Sequence, residues 1–81
     1  MNVNVHFFGV AHDLTECREE PLTIRDNATI ADILNALTVR HPRLSELGTV
    51  LRVAVNQEYM PMDATVCSED EVAIIPPVSG G

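Results

Sequence analysis

The sequence predicts a small α+β domain in which one main helix covers one face of a mixed sheet of four to five strands. Three observations predict it. Apolar residues alternate with polar ones near the start, one amphipathic helical segment follows, and short apolar runs bounded by turn residues complete the chain. The resulting order, β-β-α-β-(β)-β, is typical of an α+β domain. A chain of 81 residues is long enough for one domain with one core.

The first two strands form the start of the sheet. Residues 1–7 alternate apolar and polar side chains, which predicts a strand with one apolar face that ends at Gly9. The segment Val10–Thr15 fits a short helix or a turn. Glu20–Ile24 predicts a second strand, and the two strands together indicate an antiparallel hairpin with a long connection.

The main helix is the clearest element in the sequence. Thr29 is a favourable N-cap, and Asp32 stands at the capping-box position. The helix ends at His41-Pro42, because a residue before proline avoids the α region, and Arg43–Leu47 fits one further helical turn. Its apolar residues recur at helical spacing and predict a buried stripe: Ile30, Ile33, Leu34 and Leu37.

The second half of the chain supplies the remaining strands. Val50–Val55 predicts a strand, Asn56-Gln57 a tight turn and Glu58–Met60 a short return strand. Thr65-Val66 fits a small edge strand. Val72–Ile75 predicts the last strand, which the following prolines end.

Composition and charge exclude several classes of function. The formal net charge of −7 disfavours binding to nucleic acids and to anionic membranes. The start of the chain lacks the positively charged segment and the long apolar segment of a signal peptide, so we expect a cytoplasmic protein. Cys17 and Cys67 are too few for a disulfide framework, and the spacing of His12 and Cys17 does not match a zinc site. We therefore expect no bound metal.

One face of the predicted sheet carries apolar residues that the helix does not cover. If Val72 and Ile74 face the core, Ile75 points the other way, as Phe8 does at the end of the first strand. Phe8 and Ile75 would share one patch if the first and last strands are neighbours. An exposed patch of this kind is typical of a surface that binds a partner.

The last residues are the most informative part of the chain. Pro76-Pro77 favours a stiff, extended exit from the fold, and Gly80-Gly81 leaves the terminus without side-chain bulk. Six extended residues reach roughly 20 Å, enough to carry the terminal carboxylate into a narrow channel of another protein. A frayed terminus without a function is the competing interpretation.

These residues resemble a known family. The segment Glu71–Gly81 is similar to the C-terminal signature of the small subunits of molybdopterin synthase, and the resemblance extends to Phe7-Phe8, the capped helix and Val53–Gln57. It implies the β-grasp, ubiquitin-like fold, with a domain over residues 1–76 and a flexible tail over residues 77–81. The family's Gly-Asp-Glu turn before the last strand is here Glu69-Asp70-Glu71, so a positive φ at Glu69 would cost about 1–2 kcal/mol.

The resemblance also implies the chemistry and the partners. Gly81 would be adenylated by an E1-like enzyme that uses ATP and then converted into a thiocarboxylate with sulfur from a persulfide enzyme. The large subunit, in a heterotetramer of two small and two large subunits, would use that sulfur to form the dithiolene of molybdopterin. The chain itself would bind no cofactor and supply no catalytic group. Gly80, which has no side chain, would let the terminus enter a narrow channel of the partner. The implied partner-binding residues are Phe8, Ile75, Pro76, Pro77, Val78 and Ser79.

Three other functions remain open from the sequence, one of which is a β-grasp binding module that acts without covalent chemistry. A related carrier would deliver sulfur to the thiazole of thiamine or to other thio-metabolites. A ubiquitin-like modifier would instead be joined through its terminal glycine to the lysines of target proteins.

Overall fold

Residues 1–76 form five strands, two α-helices and one 3₁₀ helix, and the strands and the main helix follow the predicted order. The structure is a computed structural model that describes residues 1–76, apart from the side chains of residues 48–50. The elements in chain order are β1 (Asn2–Phe7), α1 (Val10–Thr15), β2 (Glu19–Thr23), α2 (Ile30–Arg40), a 3₁₀ helix (Pro42–Val50), β3 (Arg52–Val55), β4 (Glu58–Tyr59) and β5 (Glu71–Ile75).

The five strands form one mixed sheet in the order β2-β1-β5-β3-β4. Strands β1 and β5 are parallel, whereas the other neighbouring pairs are antiparallel. The predicted hairpin of β1 and β2 is confirmed, and the first and last strands are neighbours, which was the condition for a shared patch of Phe8 and Ile75. A helix packed on a mixed sheet of this kind confirms the α+β class and the β-grasp fold.

Helix α2 begins at the predicted capping box. The Asp32 backbone N–H donates to Thr29 Oγ1 at 3.2 Å, and the Thr29 backbone N–H donates to Asp32 Oδ2 at 2.9 Å. The hydrogen bond from the Thr29 backbone, followed by the Thr29 hydroxyl and the Arg25 guanidinium, holds the pKa of Asp32 below its usual range, although desolvation opposes the shift. Each end of the box thus satisfies an N–H that the helix leaves free.

The core lies between α2 and one face of the sheet. The predicted stripe is confirmed, because Ile30, Ile33 and Leu37 are fully buried and Leu34 is partly buried. From the sheet, the core receives alternate residues of the three central strands: Val3, Val5, Phe7, Val53, Val72 and Ile74. Because successive strand residues point to opposite faces, the residues between them point away from α2.

The end of α2 is tied to the edge strand β2. Arg40 Nη1 donates to Glu20 Oε2 at 2.6 Å, and His41 Nε2 contacts the other oxygen of the same carboxylate. The His41 ring also meets Phe7 edge-on, with centroids 5.6 Å apart. The helix ends at Arg40, directly before the predicted His41-Pro42 terminus.

Among the non-glycine residues at positive φ, those in the turns next to β3 and β5 bear on the sequence-based expectations. Asn56 and Gln57, with φ of 50° and 73°, form the predicted tight turn between β3 and β4, as the right-handed twist of a hairpin favours. Glu69 has a φ of 72° in the turn before β5. The positive φ considered at Glu69 from the sequence is therefore present, and it strains the backbone.

Several strands differ from the sequence-based expectations by one or two residues at an end, and one predicted strand is absent from residues 1–76. Strand β3 begins at Arg52, not at residue 50, because the 3₁₀ helix continues to Val50. Strand β2 begins one residue earlier than predicted, at Glu19. In place of the predicted edge strand, Thr65 forms a single bridge with Thr29. In the described part of the chain, no helix has the length and apolar character needed to cross a membrane.

Candidate functional site

The candidate site lies where the central strand β5 leaves the sheet. Strand β5 pairs with β1 on one side and with β3 on the other, so its final residue, Ile75, lies in the middle of the sheet edge. The Phe8 backbone N–H donates to the Ile74 carbonyl at 3.2 Å. This bond fixes the end of β1 beside the point from which the chain continues to Pro76.

Gly9 lets the turn after β1 approach the first residue beyond β5. Its φ of 53° lies in a region that favours glycine, and a Cβ added there would lie 3.1 Å from Pro76 Cγ. Pro76 itself is partly buried. The close approach of Gly9 to Pro76 therefore fixes the position of the chain directly after β5.

An apolar surface adjoins this exit on the face of the sheet opposite α2. Phe8 is 52% exposed and Tyr59 is 66% exposed, and both line one groove with the partly exposed Ile75. We call these three residues the open-face patch. The groove has a volume of about 330 Å³, and the small side chains of Ala54 and Ala73 form part of its lining. A shallow apolar groove of this kind suits a side chain from another protein.

A polar cluster borders the patch on the side of β2. The rings of His6 and Phe8 stack with centroids 6.4 Å apart. Asn4 Nδ2 lies 3.3 Å from His6 Nε2 and donates to Glu19 Oε2 at 2.9 Å. These contacts hold the His6 ring against Phe8, so one border of the patch is ordered by hydrogen bonds.

The structure brings together some of the predicted site residues. Phe8 and Ile75 share one groove, as expected for the case in which the first and last strands are neighbours. Pro76 lies at the exit of β5, in contact with Gly9. The other predicted site residues lie outside the described residues: Pro77, Val78, Ser79, Gly80 and Gly81.

Sequence reasoning missed Tyr59 as a member of the patch. Tyr59 lies opposite Ala54 in the pairing of β3 with β4, and Ala54 lies opposite Ala73 of β5. Because residues directly opposite each other in antiparallel strands share a face, Tyr59 points to the same side as Ala73. The tight turn at Asn56-Gln57 sets this register. The turn was therefore the feature of the sequence from which the position of Tyr59 on the open face could have been predicted.

Known proteins resemble the chain over its whole length. Molybdopterin synthase sulfur carrier subunits of Arabidopsis thaliana and Chlamydomonas reinhardtii are each 35% identical to it; both matches span 100% of this chain, with 84% and 100% of the respective relative. The crystal structure of SAMP1 from Haloferax volcanii superimposes with a TM-score of 0.89 at 27% identity and covers 100% of both chains. The profile described as the ThiS family matches residues 5–81. On the strength of that match and of relatives similar over the full length, the chain belongs to the ThiS family.

Proposed function

We propose that this protein is a sulfur carrier for molybdenum cofactor biosynthesis, acting as the small subunit of a molybdopterin synthase. The observation that carries the proposal is the match to the ThiS family, which runs through the terminal Gly80-Gly81. The relatives named as molybdopterin synthase sulfur carrier subunits, which match over the full length of this chain, support this function over other sulfur pathways.

The chemistry begins at the carboxylate of Gly81. This group has a pKa of roughly 3.5 in an ordinary chain terminus, so it is ionised near neutral pH and is a poor electrophile. Adenylation by a partner enzyme converts one carboxylate oxygen into part of an AMP leaving group and releases pyrophosphate from ATP. Hydrosulfide then displaces AMP and leaves a thiocarboxylate. A persulfide reaches the same product once a thiol has cleaved the acyl disulfide that it forms.

The fold contributes position and not acid–base catalysis in this scheme. Strand β5 is held on both sides by neighbouring strands, and the tail begins directly after it at Pro76. Docking of the globular domain therefore delivers the terminal sulfur to a fixed place, which makes its transfer effectively intramolecular. The catalytic groups for adenylation and for dithiolene formation belong to the partners, and the chain acts as a covalent co-substrate without a bound cofactor.

The open-face patch supplies the docking surface. Phe8, Tyr59 and Ile75 lie beside the tail exit, so a partner seated on them also receives the tail. Exposed aromatic side chains contribute strongly to binding once a partner buries them. The adenylating enzyme and the large subunit both need the tail, so we propose that each binds this same surface in turn.

Reconstitution tests the proposal. The purified chain is incubated with ATP and the adenylating enzyme of the same host, and mass spectrometry follows the C-terminal peptide. We expect an AMP adduct on Gly81, its conversion to a thiocarboxylate after a sulfur donor is added, and dithiolene formation once the large subunit and the pyranopterin precursor are present. Deletion of Gly81 is expected to abolish all three without lowering the melting temperature. An unmodified wild-type terminus in the presence of an active enzyme would contradict the proposal.

A protein-modifier function is the second candidate. The neighbour from H. volcanii is named small archaeal modifier protein 1, and it resembles this chain along its whole length. A modifier would form isopeptide bonds through Gly81, and such adducts survive thiol treatment and denaturation. Isolation of Gly81 conjugated to lysines of host proteins would support this candidate, whereas recovery of the free thiocarboxylate alone supports the sulfur carrier.

A further inference from the structure

Two arginines stand apart from the other cations of the chain. The five cationic side chains are all arginines. Three of them form ion pairs: Arg25 with Asp32 at 2.6 Å, Arg40 with Glu20 at 2.6 Å and Arg43 with Glu46 at 3.2 Å. Within residues 1–76, the exposed Arg18 and Arg52 form no ion pair with a described side chain.

Both arginines lie at the edge of the sheet from which the tail leaves. Arg52 begins β3 and stands directly opposite Ile75 in the antiparallel register, so both side chains point to the face that carries the open-face patch. On the other side, the Arg18 carbonyl accepts from the Phe7 backbone N–H at 2.8 Å, and Arg18 lines a second groove, which shares Phe8 with the groove of the open-face patch. The edge therefore runs Arg18, Phe8, Ile75, Arg52.

The opposite end of the same sheet carries the opposite charge. Glu71 begins β5, Glu69 precedes it in the turn, and Glu58 follows the turn after β3; all three carboxylates are exposed. Among the described side chains, none of the three forms an ion pair. On the open face, Arg52 thus lies at the tail exit and Glu71 lies at the far end of β5, whereas Glu58, opposite Val55, points to the face under α2.

We propose that Arg18 and Arg52 recognise carboxylates of the large subunit at the mouth of the channel that takes in the tail. This inference rests on the proposed function. A flat apolar patch gives a partner little information on orientation, whereas complementary charges fix the register and exclude wrong orientations. Arg52 contributes more than Arg18, because Asp13 and Glu19 line the groove around Arg18 and weaken the positive potential there.

Charge-neutralising variants of the full-length chain test the proposal. Association with the large subunit of the same host is measured at low and at physiological ionic strength for wild type, Arg18→Gln, Arg52→Gln and the double variant. We expect the double variant to bind about tenfold more weakly, mainly through a slower association rate, and to depend less steeply on salt. Arg52→Gln should show the larger share of the loss.

Arg43→Gln is the matched control, because it removes the same charge from a side chain that pairs with Glu46 on the 3₁₀ helix. It should bind like wild type. If Arg43→Gln weakened binding as much as the other substitutions, the loss would come from net charge alone and the proposal would be overturned. Binding of the double variant with wild-type affinity would also overturn it. Tighter binding by Arg52→Gln would also overturn it, because that result assigns Arg52 to the chain's own terminal carboxylate. A wild-type chain that does not bind the large subunit would contradict the proposed function itself.

Discussion

The two faces of the sheet are made by the same strands and have different properties. The face under α2 buries Val72 and Ile74 completely, whereas the next residues on β5, Ala73 and Ile75, lie partly exposed on the open face. The open face gathers Phe8 and Tyr59 around them. A two-residue period thus separates the residues that stabilise the fold from those available to a partner, and single substitutions can test the two roles independently.

The largest effect on stability is expected on the buried face. Ile74→Ala removes a fully buried side chain from the middle of the core, and a substitution of this type costs about 2–5 kcal/mol of the free energy of unfolding. The adjacent Ile75→Ala is the matched variant on the open face and should cost about 1 kcal/mol or less. Chemical denaturation of both variants measures the difference. Equal losses of unfolding free energy at the two positions would show that Ile75 is packed in the isolated protein and that the open face is not available to a partner.

The largest effect on partner binding is expected on the open face. Phe8→Ala and Tyr59→Ala each remove an exposed aromatic ring from the patch, and we expect each to weaken binding to the large subunit by about tenfold or more. Titration calorimetry measures the affinity, and thermal melts should change little. Val39→Ala is the control, because Val39 is 83% exposed on α2, on the other side of the sheet. Wild-type affinity in both aromatic variants would remove the patch from the docking surface.

Much of this comparison was predictable from local patterns. The alternation of β1 and β5 identified Phe8 and Ile75, and the capping box identified the start of α2. The adjacency of β1 and β5 depends on contacts between distant parts of the chain, which periodicity does not encode. Tyr59 was missed because its face is set by the register of a two-residue strand after the Asn56-Gln57 turn.

A substitution in the turn before β5 is expected to increase stability, by less than the core substitution lowers it. Glu69 adopts a φ of 72°, a conformation that is costly for residues with a Cβ. Glu69→Gly relieves this strain, and after the added entropy of glycine in the unfolded chain we expect a gain of about 0.5–1 kcal/mol in the free energy of unfolding. Ser68→Gly, one position earlier and without positive φ, should not stabilise the protein. Destabilisation by Glu69→Gly would show that its side chain contributes more than its backbone costs.

The smallest effect concerns pH and the capping box of α2. The hydrogen bond from the Thr29 backbone N–H, with the Thr29 hydroxyl and Arg25, lowers the pKa of Asp32 in the folded protein. Its ionised form therefore favours folding. This contribution is present above the unfolded-state pKa of about 4 and is lost as the pH falls through the lower folded-state pKa.

Thermal melts of wild type and Asp32→Asn across this range measure that contribution. We expect wild type to be more stable at pH 7 and the difference to shrink towards pH 3. A difference that stays constant with pH would contradict a role for the ionised carboxylate.

The central claim is that the chain end carries sulfur while the globular domain positions it. Mass spectrometry of the C-terminal peptide from protein isolated from its native host tests this claim most directly. We predict that one terminal oxygen of Gly81 is replaced by sulfur, and that the replacement disappears in a host lacking the adenylating enzyme. A terminus that remains an ordinary carboxylate in both hosts, while the large subunit continues to make molybdopterin, would contradict the account.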